Sequence, residues 1–280
     1  MPVKLDSSGR RYLQAEVEVP GSPEEVWHAI ATGPGISSWF VPTEFEHVDG
    51  VPSKVVAHFG PGMDSIANVT LWDPPRRFIA DSRVTMGPND PTIATEWTVE
   101  ARSGGTCVVR VVHSWFATSD EWDDQLEDVE SGWVAFFRIL TLYLKYFRGE
   151  AGSGVQSMAM ASPPVSMAWD ALTRPLGLAQ AAEGQQVSSP VGVPRLAGVV
   201  ERTGTPEHPE VLLRLHEPTR GLAHLFAMPM GGSTCLSVRL FLYGDDTKAI
   251  VAREDHSWQA WMTDRFPTAN DATGAAQEAL

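Results

Sequence analysis

The chain has 280 residues, a hydrophobic fraction of 43% and a formal net charge of −14. That length suits one large domain or two ordinary ones with a real core, and the charge argues against nucleic acid or an anionic membrane as partner, since both attract basic surfaces. Two cysteines, Cys107 and Cys235, make no framework of bridges, and residues 1–11 hold no apolar segment of the kind a secretory signal needs, so a reducing cytoplasm is the expected location.

Leu13, Ala15, Val17 and Val19 alternate with Gln14, Glu16 and Glu18, the pattern of a strand with one buried face. Ser22-Pro23-Glu24-Glu25 then reads as a helix start, with Ser22 as cap, Pro23 at the first helical position and Glu25 closing a capping box. Val26, Trp27 and Ile30 supply the buried side of that helix. Gly33-Pro34-Gly35 is expected to break it, followed by one further turn at 36–40 with Trp39 and Phe40 facing inward.

Six segments with strand character follow, at 41–48, 53–59, 66–72, 77–84, 93–102 and 106–117. Turn residues separate them: Asp49-Gly50, Gly60-Pro61-Gly62, Asp73-Pro74-Pro75, Gly87-Pro88-Asn89-Asp90 and Ser103-Gly104-Gly105. Connections this short favour antiparallel neighbours, because a parallel pair needs a long crossover. With the first strand they make a twisted sheet of seven.

At 126–147 the apolar residues Leu126, Val129, Trp133, Phe136, Leu140, Tyr143 and Phe147 recur at steps of three and four, one stripe of a long helix. Val134, Phe137 and Leu144 widen the stripe, so it suits the concave side of a curled sheet. Arg138 and Lys145 interrupt it, which excludes a membrane span. Asp120, Glu121, Asp123, Asp124, Glu127, Asp128 and Glu130 crowd its start and complement the helix dipole there.

Glu150-Ala151-Gly152-Ser153-Gly154 is the expected domain boundary, and the signals then repeat in order. Ser162-Pro163-Pro164-Val165 restates the helix start, with Trp169 and Leu172 in the places of Trp27 and Ile30. Gly231-Gly232-Ser233-Thr234-Cys235 restates Gly104-Gly105-Thr106-Cys107, which puts both cysteines at equivalent places as buried structural residues. A closing helix carries Trp258 and Trp261, loses regularity at Arg253-Glu254-Asp255 and stops early at Pro267. The expected organisation is a domain over 1–150, a divergent copy over 154–267 acting as a structural partner, and a frayed tail over 268–280.

Ser22-Pro23-Glu24-Glu25-Val26-Trp27, Trp39-Phe40, Asp73-Pro74-Pro75-Arg76-Arg77 and Gly132-Trp133, in that order, resemble the START-like (SRPBCC) superfamily. Within it the resemblance is to domains related to the heat-shock-90 ATPase activator. It implies an α+β fold of two tandem helix-grip domains, each a curved antiparallel sheet wrapped around a C-terminal helix, with an apolar cavity between. Members bind lipids, hormones, polyketides or other hydrophobic molecules, some catalyse cyclisation or dehydration, and the eukaryotic relatives stimulate a chaperone ATPase by protein contact.

Strand alternation places Cys107, Val109, Val111, His113 and Trp115 on one face, with Thr95 and Trp97 on the neighbouring strand. Trp39, Phe40, Thr95, Trp97, His113, Trp115, Trp133, Phe136 and Phe137 are therefore expected to line a largely aromatic ligand site. The reading favoured is a binding protein for a lipid, polyketide or aromatic molecule, without cofactor, and with a protein partner or a second copy as a further prospect. The enzyme reading makes His113 a general base and Thr95 a carbonyl-positioning group. His58, the other candidate base, reads as a histidine at a strand edge, and His47, His216, His224 and His256 show no metal-ligand spacing, so no metal site is expected.

Overall fold

The structure, a computed structural model, describes residues 3–7, 9–60, 62–83, 92–115, 123–245 and 247–267, with the backbone alone for 123–131. The chain forms two compact units, Met1–Ala151 and Gly152–Leu280. Val84, Phe116, Ala117, the 87–90 break, Asp120, Glu121, the side chains of the rest of the acidic run and of Leu126 and Val129, and the tail from 268 fall outside what is described.

In the first unit, β1 (Lys4–Leu5) and β2 (Arg11–Pro20) lead into α1 (Pro23–Ala31) and α2 (Gly33–Ser37). Then come β3 (Thr43–Val48), β4 (Val51–His58), β5 (Asp64–Asp73), β6 (Arg77–Arg83), β7 (Thr92–Arg102), β8 (Thr106–Trp115) and α3 (Asp123–Tyr146). The sheet has eight strands rather than seven, in the order β1-β2-β8-β7-β6-β5-β4-β3, because the short β1 folds back on β2. All its pairings are antiparallel. Asp49 and Gly50 both have positive φ (50° and 81°), the backbone a tight two-residue hairpin demands.

The capping box at α1 is present: Ser22 Oγ accepts from the Glu25 N–H at 3.3 Å, and Glu25 Oε2 accepts from the Ser22 N–H at 2.8 Å. α1 does end here, at Ala31, but Gly33-Pro34-Gly35 is not itself the break: it is the body of α2, with Thr32 Oγ1 accepting from the Gly35 N–H at 3.0 Å. Proline fits there because the first helical turn leaves its N–H groups unbonded anyway. Gly35 is required by space, since a Cβ on it would lie 2.0 Å from the His28 carbonyl oxygen.

In α3, Phe137, Ile139, Leu140, Leu142, Tyr143, Leu144 and Phe147 beyond its end are buried, while Val134 is 44% exposed. The buried surface is thus broader than the stripe toward the C-terminal end, and Val134 lies off it. No helix among the described residues is long and apolar enough to cross a membrane.

The second unit contains β9 (Gly152–Ala161), α4 (Val165–Thr173), β10 (Gln186–Ser188), β11 (Ala197–Thr203), β12 (Glu210–Glu217), β13 (Gly221–Met230), β14 (Ser233–Tyr243) and α5 (Thr247–Arg265). Its six strands run β10-β11-β12-β13-β14-β9, so in each unit the strand before the first helix pairs with the strand before the closing helix. The chain is two tandem helix-grip domains. Two expectations fail here. Ser162 caps nothing, because α4 takes Pro164 as its N-cap, with no side-chain hydrogen bond. And α5 runs unbroken through Arg253-Glu254-Asp255, where Glu254 is buried and bonded to the Arg253 guanidinium at 2.8 Å.

The cysteines are not equivalent either. Cys107 is the second residue of β8 and shares a face with the buried Val109 and Val111. Cys235 is the third residue of β14, on the side opposite Leu236, Val238 and Leu240, which pack with Trp258 of α5. Ser233 is one residue more than the first copy has at this point, and a one-residue slip moves every side chain to the other face.

Candidate functional site

Six of the nine site residues read from the sequence meet as rings. Trp97 on β7 stands edge-on to Trp133 of α3 at 5.0 Å between centroids and to Trp39 at 6.4 Å. Phe137 touches both Trp97 (6.1 Å) and Trp133 (5.8 Å). Phe40 stacks on Trp133 at 5.3 Å and meets Phe136 edge-on at 4.4 Å. Trp39, Trp97 and Phe137 are buried, while Phe40, Trp133 and Phe136 keep part of their surface open. These separations are those of favourable edge-to-face and offset pairs, so the rings hold each other in place.

Thr95 and His113 face each other across the β7–β8 ladder, and Thr95 Oγ1 lies 2.9 Å from His113 Nδ1. The Trp133 indole N–H donates to His113 Nε2 at 2.7 Å. An indole nitrogen can only donate, so Nε2 is the bare nitrogen and Nδ1 carries the proton that goes to Thr95. Burial disfavours the charged ring and lowers its pKa to about 4. His113 is therefore a neutral imidazole with both nitrogens engaged. It could abstract a substrate proton only if Trp133 first left Nε2.

Trp115 does not join this group. Among the described residues its ring packs with Leu13, Val3 and Ile93 at the C-terminal end of β8, two residues beyond His113. Of the other histidines, His58 Nδ1 pairs with Asp64 Oδ1 at 2.9 Å and His224 Nε2 with Glu210 Oε2 at 3.0 Å. Burial raises the thiol pKa of Cys107 and of Cys235, so neither is activated as a nucleophile.

The structure extends the ring system well beyond the residues singled out from sequence. Phe78 stacks on Trp97 at 6.2 Å, Trp72 meets Phe78 at 5.5 Å, and Phe45 meets Trp72 at 6.0 Å. Trp27 of α1 closes on Trp72 at 5.1 Å and on Phe78 at 5.8 Å. A continuous row of rings thus crosses the sheet from β3 to α3. At its β3 end lies an open groove of about 750 Å³, lined among others by Trp27, Pro34, Glu44, Phe45, Pro52 and Trp72. Part of this was readable. Folding the chain about Asp73-Pro74-Pro75-Arg76 sets Trp72 opposite Phe78, and the next pairing sets Phe78 opposite Trp97. Phe45 gave no such signal, since its neighbours come from distant strands.

Residues 20–145 match the family model described as Activator of Hsp90 ATPase homolog 1-like protein. The match covers 126 of the 280 residues, all within the first unit, and agrees with the heat-shock-90-activator resemblance noted from the sequence. No curated protein matches the chain. Among solved structures, the di-domain ARO/CYC BexL from the BE-7585A biosynthetic pathway is similar at 14% identity and a TM-score of 0.42, over 92% of this chain and 99% of that one. DynU16, from the dynemicin biosynthetic locus, is similar at 16% identity and 0.41, over 90% and 95%. The Aha1 dimer from Colwellia psychrerythraea is similar at 19% identity and 0.40, over 49% of this chain and 98% of that one. Likeness at this level decides nothing about ligand or reaction.

Proposed function

We propose that the first unit binds a hydrophobic small molecule, aromatic or acyl, against the ring row between its sheet and α3. The observation that carries this reading is the continuous aromatic row ending in an open groove of about 750 Å³. That volume falls within the roughly 300–1,000 Å³ usual for small-molecule pockets, which are lined mainly by apolar and aromatic side chains with few polar groups. Trp39, Phe40, Trp97, Trp133, Phe136 and Phe137, with His113 and Thr95, continue the ring row inward from the groove and are not among the residues that line it. Trp27, Phe45 and Trp72 form the outer end. With the His113 ring neutral and both its nitrogens engaged, the polar contact falls to the Thr95 hydroxyl, which accepts from His113 Nδ1 and can donate its own hydrogen to an uncharged ligand carbonyl or hydroxyl.

Titration of the full chain with the fluorescent lipophile 1-anilinonaphthalene-8-sulfonate, followed by displacement with fatty acids and polycyclic phenols, tests this. Saturable binding that Trp72→Ala or Phe136→Ala weakens is the expected result. Absence of saturable binding across that panel, or binding that neither substitution alters, would overturn it.

A further inference from the structure

A different chemistry stands on the second sheet. On β14, Cys235 pairs in register with Met160 of β9 on one side and with Met228 of β13 on the other. Directly opposed residues of antiparallel strands point to the same face, with Cβ atoms about 4.5–5.5 Å apart. Three sulfur-bearing side chains therefore leave the sheet in one row across three adjacent strands. The next row on that face is Met158, Ser237 and Phe226, so a fourth sulfur lies beside them. The Met158 sulfur accepts from Gln156 Nε2 at 3.4 Å.

Exposure divides the cluster into a lid and a floor. Met158, Met160 and Met228 are 36%, 41% and 39% exposed, while Cys235 is 1% exposed. Ser237 is fully buried, and its hydroxyl has no hydrogen-bond partner. A buried polar oxygen left unbonded is costly unless something binds it. Cys107, by contrast, donates its thiol hydrogen to the Gly21 carbonyl at 3.3 Å. Its own row is Val19, Cys107 and Ala101, with no second sulfur.

We infer that this row is a binding site for a soft monovalent cation, copper(I) being the ion of that class that cells handle. Met160 Sδ, Cys235 Sγ and Met228 Sδ supply the ligands, Met158 can replace either thioether, and the Ser237 hydroxyl, otherwise unbonded, offers a lone pair as an outer contact. Thioether and thiolate sulfur select copper(I) over harder divalent ions, and three sulfurs satisfy its low coordination number. On binding, the Cys235 S–H bond breaks, a sulfur–metal bond forms, and the proton leaves to solvent, with no electron transferred. Thiolate and cation neutralise each other, so the nearby Arg239 meets no added net charge. An apolar docking face would be served equally by leucine, whereas this row is served only by sulfur.

Leucine therefore provides the test. The full chain is titrated anaerobically with copper(I) against the chromogenic chelator bicinchoninate, and with silver(I) as a redox-inert probe. One equivalent should be withdrawn from the chelator, with release of one proton. The double substitution Met160→Leu and Met228→Leu keeps the volume and apolar character at exposed positions, and should lower the affinity by roughly tenfold or more. Cys235→Ser should abolish the proton release, while Cys107→Ser leaves both readouts unchanged. Failure to compete with the chelator, or wild-type affinity in the double leucine variant, would overturn the assignment.

Discussion

On the helix side of the first sheet stand Trp72, Phe78 and Trp97, where the second presents Leu213, Leu225, Leu236, Val238 and Leu240. The strand plan is shared: in both units the opening strand pairs with the last one, and a helix closes the domain. The contents are not. Flat rings meet at a few centroid contacts and leave a groove of about 750 Å³ at the end of the row. Branched aliphatic side chains interdigitate around Trp258 and Met262, as close-packed interiors do. A duplicated fold thus keeps its backbone pairing while each copy sets its own interior, and in the aromatic copy a helix tryptophan is paired with a strand histidine.

The sharpest way to break this contrast is through two fully buried tryptophans, one in each unit. Trp39 donates its indole N–H to the Ala29 carbonyl at 2.8 Å, whereas Trp258 Nε1 is buried without a partner. Trp39→Ala should lower stability by about 3–5 kcal/mol, as large aromatic deletions in cores do. Trp258→Phe should cost much less, about 1 kcal/mol, because it removes volume but also an unbonded donor. Urea unfolding of the full chain followed by circular dichroism distinguishes them, and equal losses would contradict the packing described.

The next effect concerns pH. His113 has its pKa lowered in the folded protein, so the unfolded chain takes up a proton that the folded one refuses. Its contribution is fully present above the unfolded value near 6.5 and is lost as pH falls toward about 4, to a total of about 3 kcal/mol. Denaturation midpoints at pH 7.5, 6 and 4.5 should therefore converge between wild type and His113→Asn as the medium is acidified. A gap that stays constant over that window would show that the imidazole does not titrate as described.

The smallest effect compares the two helix starts. Ser22→Ala removes a bonded cap from α1 and should cost about 1 kcal/mol. Ser162→Ala should change stability by less than about 0.5 kcal/mol, since α4 begins at Val165 without a side-chain cap. Thermal melts of the two variants check this, and similar shifts in both would mean that Ser162 acts as a cap after all.

Much of the fold was legible because it is written in short-range signals. The Ser22/Glu25 box, the Asp49-Gly50 hairpin and the alternation along β2, β7 and β8 each depend on residues a few positions apart. Short-range signals also misled. Gly33-Pro34-Gly35 contains breaker residues, yet it begins a helix, because the Thr32 hydroxyl and the tight approach to the His28 carbonyl were invisible in the string. At the candidate site, the inward faces of β7 and β8 predicted that Trp97 and His113 would share a side with α3. They could not separate Trp115 from them, nor extend the row to Phe45.

By itself, the sequence determined the order of strands and helices, the turns between them and the duplication, since periodicity and turn chemistry act over a handful of residues. Only the tertiary structure decided that Trp133 holds His113 in one neutral tautomer, that Phe45, Trp72, Phe78 and Trp97 line up ring to ring across separate strands, and that Cys235 faces away from the core between two methionines. Each of those outcomes depends on the register of strands far apart in the chain. A shift of one residue anywhere along such a ladder leaves the local pattern unchanged while exchanging every neighbour across it.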